Sequence, residues 1–425
     1  VKNNLGEGQP QIEPGDWLGW VLLGCVAALP LLPEYMAGYA LILWLGWRIY
    51  RRNLGNILPA LPVSAWLVLP YFLWYLGRWW ATGWHPDGGR ILLMHAQWIL
   101  FPLLLAGLPP FMSGAPRWSL FFLWSVVVLV AVALTVEGIA EWMVRVTPIE
   151  GYSDHPLFYI GLSAPLMHPG YLSMLVFVAM LTTAVLIRPS WLRPWLFYSG
   201  QCLLLVFVVM LSSRMILGAM MATVPLVAAG RVRRLRPRAF IAAGAMMLVL
   251  TFLAVRFLPE PMRGRLTELS RFEYRMDADS LSDFSGVTIR LAEWRGALHA
   301  WAQSPSLGHG PGRGKVVLMD SYDQLGFSVG RRYHFNAHNQ FLETALDLGW
   351  VGVILVLLSI LAVAWPHLNS QNTLLWWFLV FFLLCSTTES TLLRQRGVAM
   401  LAIYIPLLGA LRRGDYAQAN SEIHG

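Results

Sequence analysis

Charge is what this chain has least of. Lysine and arginine number 31 and aspartate and glutamate 23 in 425 residues, or 13% charged. Soluble domains carry roughly a quarter. The deficit runs along the whole chain, which excludes a globular domain hung on one anchor. Cysteine is scarce too. Cys25, Cys202 and Cys385 all lie in apolar stretches, so there is no disulfide framework and no CxxC metal site. There is no HExxH, no internal repeat and no low-complexity tract. The first apolar run lacks a short core followed by an A-x-A-like site, so no cleavage is expected there.

What is present is apolar: 57% hydrophobic residues, with a mean hydropathy of +0.55. Many of the 21 Trp and 14 Tyr sit at the ends of apolar runs, as in interfacial belts. The expected fold is an all-α polytopic membrane protein. Its candidate spans are Trp17–Leu32, Tyr35–Trp47, Leu58–Leu76, Ile91–Leu108, Trp118–Ala140, His168–Ile187, Trp191–Leu211, Met215–Gly230, Ala239–Leu258, Leu346–Trp365, Thr373–Cys385 and Val398–Leu411. That is about twelve transmembrane helices. The first two, divided at "LLPEYM", also fit a re-entrant element.

The net charge of +8 reads as topology rather than nucleic-acid binding. Arg48, Arg51 and Arg52, then Arg117, Arg188 and Arg193, the five arginines from Arg231 to Arg238, and Arg412 and Arg413 fall on one face. The positive-inside rule makes that face, and both termini, cytoplasmic. The expected layout is nine spans in 1–258, a large periplasmic loop with short helices in 259–344, three spans in 345–411, and a cytoplasmic tail, 412–425. A polar insertion of that length between spans is where chemistry is expected.

Three places hold candidate site residues. Arg214, in "LSSRMILG", sits at a tight turn between apolar runs with no acid nearby. It is either a snorkelling interface residue or a cation waiting for an anion. Arg290 and Arg295 lie in "TIRLAEWRGALHAW", where Ile289, Leu291, Trp294, Leu298 and Trp301 give near-helical spacing. That predicts an amphipathic helix, ended by "SPS" and a glycine-rich turn, "GHGPGRG". Arg290, Glu293 and Arg295 are then a solvated face, or Arg290 is a second phosphate-binding guanidinium. In "RRYHFNAHNQFLETALDLGWVG", His338, Phe341, Leu342, Ala345, Leu346 and Gly349 follow helical spacing. This puts His338 on the apolar face of a helix, with Asn336 as its N-cap. His334 and His338 stand four apart but lack a third ligand, so no metal site is expected. The acidic "DAD" at Asp277 to Asp279 reads as a solvated loop.

In this order, "SSRMILG", "IRLAEW…SPSLGHGPGRG" and "HNQFLETALDLGWVG" resemble the O-antigen ligase family, within a superfamily shared with O-antigen polymerases and protein O-oligosaccharyltransferases. The fit around His338, and the roughly fourteen residues after the last apolar run, favour the lipopolysaccharide ligase. The resemblance implies a C-type glycosyltransferase architecture without metal or other cofactor. It implies a donor, an undecaprenyl-pyrophosphate-linked glycan, and an acceptor, lipid A–core oligosaccharide, both met in membrane lipid on the periplasmic side of the bacterial inner membrane. Carried over by position, Arg214 and Arg290 match the family's functional arginines and His338 its histidine. The arginines would stabilise the departing pyrophosphate. His338 would be the general base, an imidazole having a reference pKa near ~6.5. Direct displacement would invert the anomeric carbon. Arg265 and Arg145 are further candidates for the phosphate, and Asn339 and Glu343 for orienting the histidine. The competing class is a transporter of lipid-linked glycan, for which no Gly/Pro-broken span pair is found in matching halves of the chain.

Overall fold

The computed structural model describes residues 16–51, 68–105, 114–145, 155–186, 192–211, 213, 216–223, 276, 280–281, 284–368 and 373–411. No strand occurs among the described residues. The first helices are α1 (Asp16–Ala27), α2 (Glu34–Tyr50), α3 (Leu69–Ala81), α4 (Pro86–His95), α5 (Gln97–Leu105) and α6 (Ala115–Val144). After the short α7 (Tyr159–Ser163) come α8 (Pro169–Leu186) and α9 (Pro194–Leu211). A polar module follows, with α10 (Gly286–Trp301), α11 (Gly314–Gln324) and α12 (Ser328–Arg332). The chain returns to apolar helices in α13 (Gln340–Ala364), α14 (Thr373–Ser386) and α15 (Gln395–Gly409).

Three helical stretches, Ala115–Val144, Pro194–Leu211 and Gln340–His367, are long and apolar enough to cross a membrane, and four shorter helices are apolar. This is the build of a membrane protein. The expected runs at 118–140, 168–187, 191–211, 346–365, 373–385 and 398–411 each fall on a helix with ends shifted by a few residues. The run 91–108 is instead two short helices, α4 and α5, meeting at Ala96. Of Met215–Gly230 only 216–223 lie among the described residues, and none of Ala239–Leu258 does. Arg48, read above as a loop arginine, is fully buried in the last turn of α2.

Two cores organise the chain. The larger is built from α1–α6, α8, α9, α14, α15 and the second half of α13. Its centre is α15, buried without interruption from Gly397 to Leu408 and packed on α1, α5, α8, α13 and α14. The smaller core gathers Ala292, Ala297 and Ala300 of α10 with Leu318, Met319 and Tyr322 of α11, Phe327, Val329, Ala337 and Leu346. This seats the polar module on the first turns of α13.

α13 carries a break that joins the two cores. At Gly349 the backbone leaves the helix (φ 68°, ψ −175°), a conformation open essentially to glycine alone. A Cβ there would lie 2.0 Å from the carbonyl oxygen of Ser306. Such a break frees backbone groups that must find partners when buried. The loop after α10 and a residue of α3 supply them. Trp350 N–H donates to Pro305 O (2.9 Å), His309 N–H to Leu346 O (2.8 Å), Gly310 N–H to Asp347 O (2.9 Å) and Trp74 Nε1–H to Leu348 O (3.2 Å). The Asp347 carboxylate accepts from Gly312 N–H and Gly314 N–H in return (3.2 and 2.9 Å). Arg78 closes the assembly, donating to Leu307 O and Gly308 O at 3.0 Å each. The "GHGPGRG" stretch is therefore a backbone-to-backbone seam along the broken helix. Gly310, at φ 102°, lies so close to Thr82 that a Cβ would fall 2.1 Å from its hydroxyl oxygen.

Candidate functional site

Above that break, α10, the loop before α13 and the turn between α14 and α15 meet. Ser285 caps α10 by accepting from Thr288 N–H. The buried stripe of α10 is Thr288, Ala292, Glu293, Gly296, Ala297 and Ala300, not the Ile289–Leu291–Trp294–Leu298–Trp301 series expected from spacing. Leu298 is exposed. The reason is close approach. α10 packs face-on against α11 and α13 through its small residues, and a Cβ at Gly296 would sit 2.3 Å from the Tyr322 ring.

Burying that stripe takes Glu293 with it, to 1% exposure, so it is no part of a solvated face. Arg290 follows it one turn back. Its Nη1 lies 3.3 Å from Glu293 Oε2, and its Nη2 lies 3.2 Å from Oε1 of Glu389, in the turn after α14. Burial pushes the Glu293 carboxyl up to about 8, against the pull of Arg290 in the opposite direction. Arg295, by contrast, is exposed.

His338 completes the cluster from a place the spacing did not predict. Asn339, not Asn336, is the N-cap of α13: its backbone is extended and its side-chain oxygen accepts from Phe341 N–H and Leu342 N–H (3.0 and 3.1 Å). His338 therefore precedes the helix rather than lying on its apolar face. It adopts a left-handed backbone (φ 43°), as does His334 (φ 50°). Apolar i, i+3, i+4 spacing continued past the true cap, where helical geometry no longer applies. The turn aims the imidazole between two carboxyls. Nδ1 is 3.6 Å from Glu389 Oε2 and Nε2 is 3.9 Å from Glu293 Oε1. Both separations exceed hydrogen-bond length, and Nδ1, though buried, has no hydrogen-bond partner. Glu389 thus holds Arg290 on one oxygen and faces His338 with the other.

The other expected residues divide. Glu343 is buried, and its Oε1 accepts from Ala337 N–H (2.6 Å) and Ser390 Oγ–H (3.2 Å), so it meets the backbone beside His338. Asn339 is committed to its capping role. Arg145, at the end of α6, pairs with Glu141 (3.6 Å) and lies beside His155. Arg214, Arg265 and Asp277 to Asp279 lie outside the described residues. Among the described residues, no group of three or more His, Cys, Asp or Glu is arranged to hold a metal ion.

Three residues escaped the sequence reading. Glu389 had a signal: it is the sole acid between Asp347 and Asp415, in a short turn between two apolar helices. An ionisable group there calls for a partner. His168, at the head of α8, accepts from Gly170 N–H through Nδ1 (3.2 Å) and stands near Glu389, Arg290 and Arg394. Lys315 of α11 donates to His334 O (2.7 Å) and to Asn336 Oδ1 (2.6 Å).

No curated protein matches the chain. A family model described as O-antigen ligase matches residues 202–357, from within α9 to the second half of α13. The match takes in Arg290, Glu293, Lys315 and His338, while Glu389 lies beyond it, so over these residues the chain is similar to the O-antigen ligase family.

Proposed function

We propose that the protein is a glycosyltransferase that moves an O-antigen glycan from undecaprenyl pyrophosphate to a hydroxyl of lipid A–core oligosaccharide. The observation that carries this reading is His338, held with both ring nitrogens unbonded between Glu293 and Glu389, beside Arg290, inside an O-antigen ligase domain.

A sugar hydroxyl is a poor nucleophile until its proton is taken. His338 takes it, and the acceptor oxygen forms a bond to the anomeric carbon of the donor. The bond from that carbon to the pyrophosphate oxygen breaks, with inversion. The imidazolium that forms is stabilised by the Glu389 carboxylate, the part a triad carboxylate plays for its histidine. With Nδ1 turned to Glu389, Nε2 is the nitrogen that receives the proton. The departing pyrophosphate gathers negative charge, which guanidinium groups meet through charge-assisted hydrogen bonds. Arg290 uses two of its donor atoms on carboxyls, and a guanidinium has five N–H donors, so others remain for phosphate. Arg214 is the second cation. No step calls for a metal. Both substrates are lipids, which suits a site at the membrane face. The proposed layout is about twelve spans in the bacterial inner membrane, with cytoplasmic termini and the 259–344 loop periplasmic.

The test is transfer by purified protein supplied with lipid-linked glycan and lipid A–core oligosaccharide. The expected result is a glycan-bearing lipid A–core product that persists in EDTA. Product seen only when the acceptor is a second lipid-linked glycan would make the protein a polymerase. No covalent product with either acceptor would overturn the reading.

A further inference from the structure

We propose that Lys315 is a positioning residue for His338: its ammonium and the Glu343 carboxylate together hold residues 334–338 in the conformation that places the imidazole between Glu293 and Glu389. This rests on the reading of His338 as the base.

The loop has no helix or strand to fix it. It begins and ends on residues in the left-handed region, His334 and His338, where side chains crowd the backbone. Such a conformation persists only when its surroundings impose it. The groups that impose it act on the residues between. From α11, Lys315 Nζ holds the His334 carbonyl at 2.7 Å and the Asn336 side-chain oxygen at 2.6 Å. From α13, Glu343 Oε1 holds the Ala337 N–H at 2.6 Å. The loop is therefore gripped from two helices by groups of opposite charge. The Asn336 side chain, which helical spacing marked as a cap, answers the lysine instead.

Lys315 is not a solvated surface lysine. Burial lowers its ammonium to about 8, while the neighbouring Glu343 and Glu293 pull the other way. A half-buried ammonium with two short bonds is a strong local constraint. A compact charge on a flexible stem also suits two acceptors on one loop better than a planar guanidinium would. No contact joins Nζ to His338 itself, so its effect on the reaction passes through the loop.

The test compares Lys315→Met with wild type in detergent, by kinetics and by hydrogen exchange of peptides covering 333–342. The expected result is a kcat lower by roughly ten- to a hundredfold, with the KM for the lipid-linked donor changed by less than about threefold. Exchange at Ala337 should rise at least about tenfold, while α10 and α13 keep their protection. In a His338→Ala background the same substitution should cost less than about twofold more, because the group it positions is already gone. An unchanged kcat overturns the inference, as does an equal further loss in the His338→Ala background or exchange that rises uniformly across α10–α12. Should Lys315→Met fail to accumulate, Asn336→Ala removes one acceptor and leaves the charge. It should lower kcat by roughly three- to tenfold, and an unchanged kcat there is equally fatal. If His338→Ala retains turnover, the base reading fails, while exchange at Ala337 still reports whether Lys315 holds the loop.

Discussion

The large core and the small core bury side chains on opposite terms. Around α15 the contacts are aliphatic and aromatic, with Leu401, Ile403, Tyr404 and Leu408 packed against Phe378, Trp98 and Leu374. Such burial is forgiving of detail, since its favourable term scales with area and has no direction. The small core on α10–α12 sets the alanines and Gly296 of α10 against a few aliphatic side chains and aromatic rings. It also encloses Glu293 and borders Glu343 and Lys315, whose burial is costly unless each finds a partner. The first region builds a scaffold from composition. The second uses close backbone approach to bring charge out of water, and that is where the cluster of His338, Arg290, Glu293 and Glu389 forms. Glu389 belongs to both regions, because it stands in the turn that joins α14 to α15 of the large core.

The sharpest test of the contrast is His338→Ala. It removes a side chain that is 26% exposed and belongs to neither core. Transfer should fall by about 10²–10⁴-fold, with the melting temperature and donor binding little changed. Turnover above about a tenth of wild type would remove His338 from the chemistry. His334→Ala is the control: its carbonyl, not its ring, meets Lys315, so turnover should remain near wild type.

Gly349→Ala attacks the seam between the regions. The alanine would need a backbone conformation it avoids and a Cβ overlapping the Ser306 carbonyl. A strained residue of this kind costs about 1–3 kcal/mol before the overlap is counted. Lower yield and a lower melting temperature should accompany loss of activity. The same change at Gly46, where a Cβ meets nothing within 4 Å, should be silent by both measures. If Gly349→Ala melts like wild type, the break in α13 is not what seats the polar module.

Arg290→Lys asks what the bridge between Glu293 and Glu389 is worth. A lysine keeps the charge but lacks the fork that spans two carboxyls and presents further donors to phosphate. Losing one charge-assisted contact, about 1.5–3 kcal/mol, lowers turnover roughly ten- to a hundredfold. Undecaprenyl pyrophosphate should bind more weakly to the variant. Normal turnover and binding would leave Arg290 a structural partner of the two acids.

What could be read from the sequence follows the same division. The large core announced itself because lipid-facing and core-facing helices share one signal, a long apolar run. Hence α6, α8, α9, α14 and α15 lie where hydropathy put them, give or take a turn. The small core hid because the face that α10 gives it is mostly alanine and glycine, which spacing arguments discount. Leu298, on the apolar series, stays exposed while Ala292 and Gly296 are buried. His338 and Arg290 were legible as chemical types, but their setting was not. The cap at Asn339 depends on local backbone conformation, and Glu389 arrives from 51 residues beyond His338. Partners that far apart in the chain leave no periodic trace.

The last and smallest effect concerns pH, and it reads the cost of burying a carboxyl directly. Burial raises Glu293 to about 8 in the folded protein, from an ordinary value near 4.5. Between those values the folded protein keeps a proton that the unfolded chain releases. The contribution of Glu293 to stability is therefore fullest below about 4.5 and declines as pH rises toward 8. Lys315, lowered to about 8, works in the other sense. Its unfolded form holds the extra proton, so its contribution rises with pH, but only above about 8. A scan from pH 5.5 to 7.5 separates the two. Wild type should lose stability across it, by about 1–3 kcal/mol from this one group, since a pH unit is worth at most about 1.4 kcal/mol per proton. Glu293→Gln keeps the shape, offers no titrating proton, and should flatten that part of the decline. Its melting temperature should thus gain on wild type as pH rises. A variant whose melting curve tracks wild type at every pH would mean that Glu293 is ionised throughout, held so by Arg290, and that the small core tolerates its charge as a closed pair.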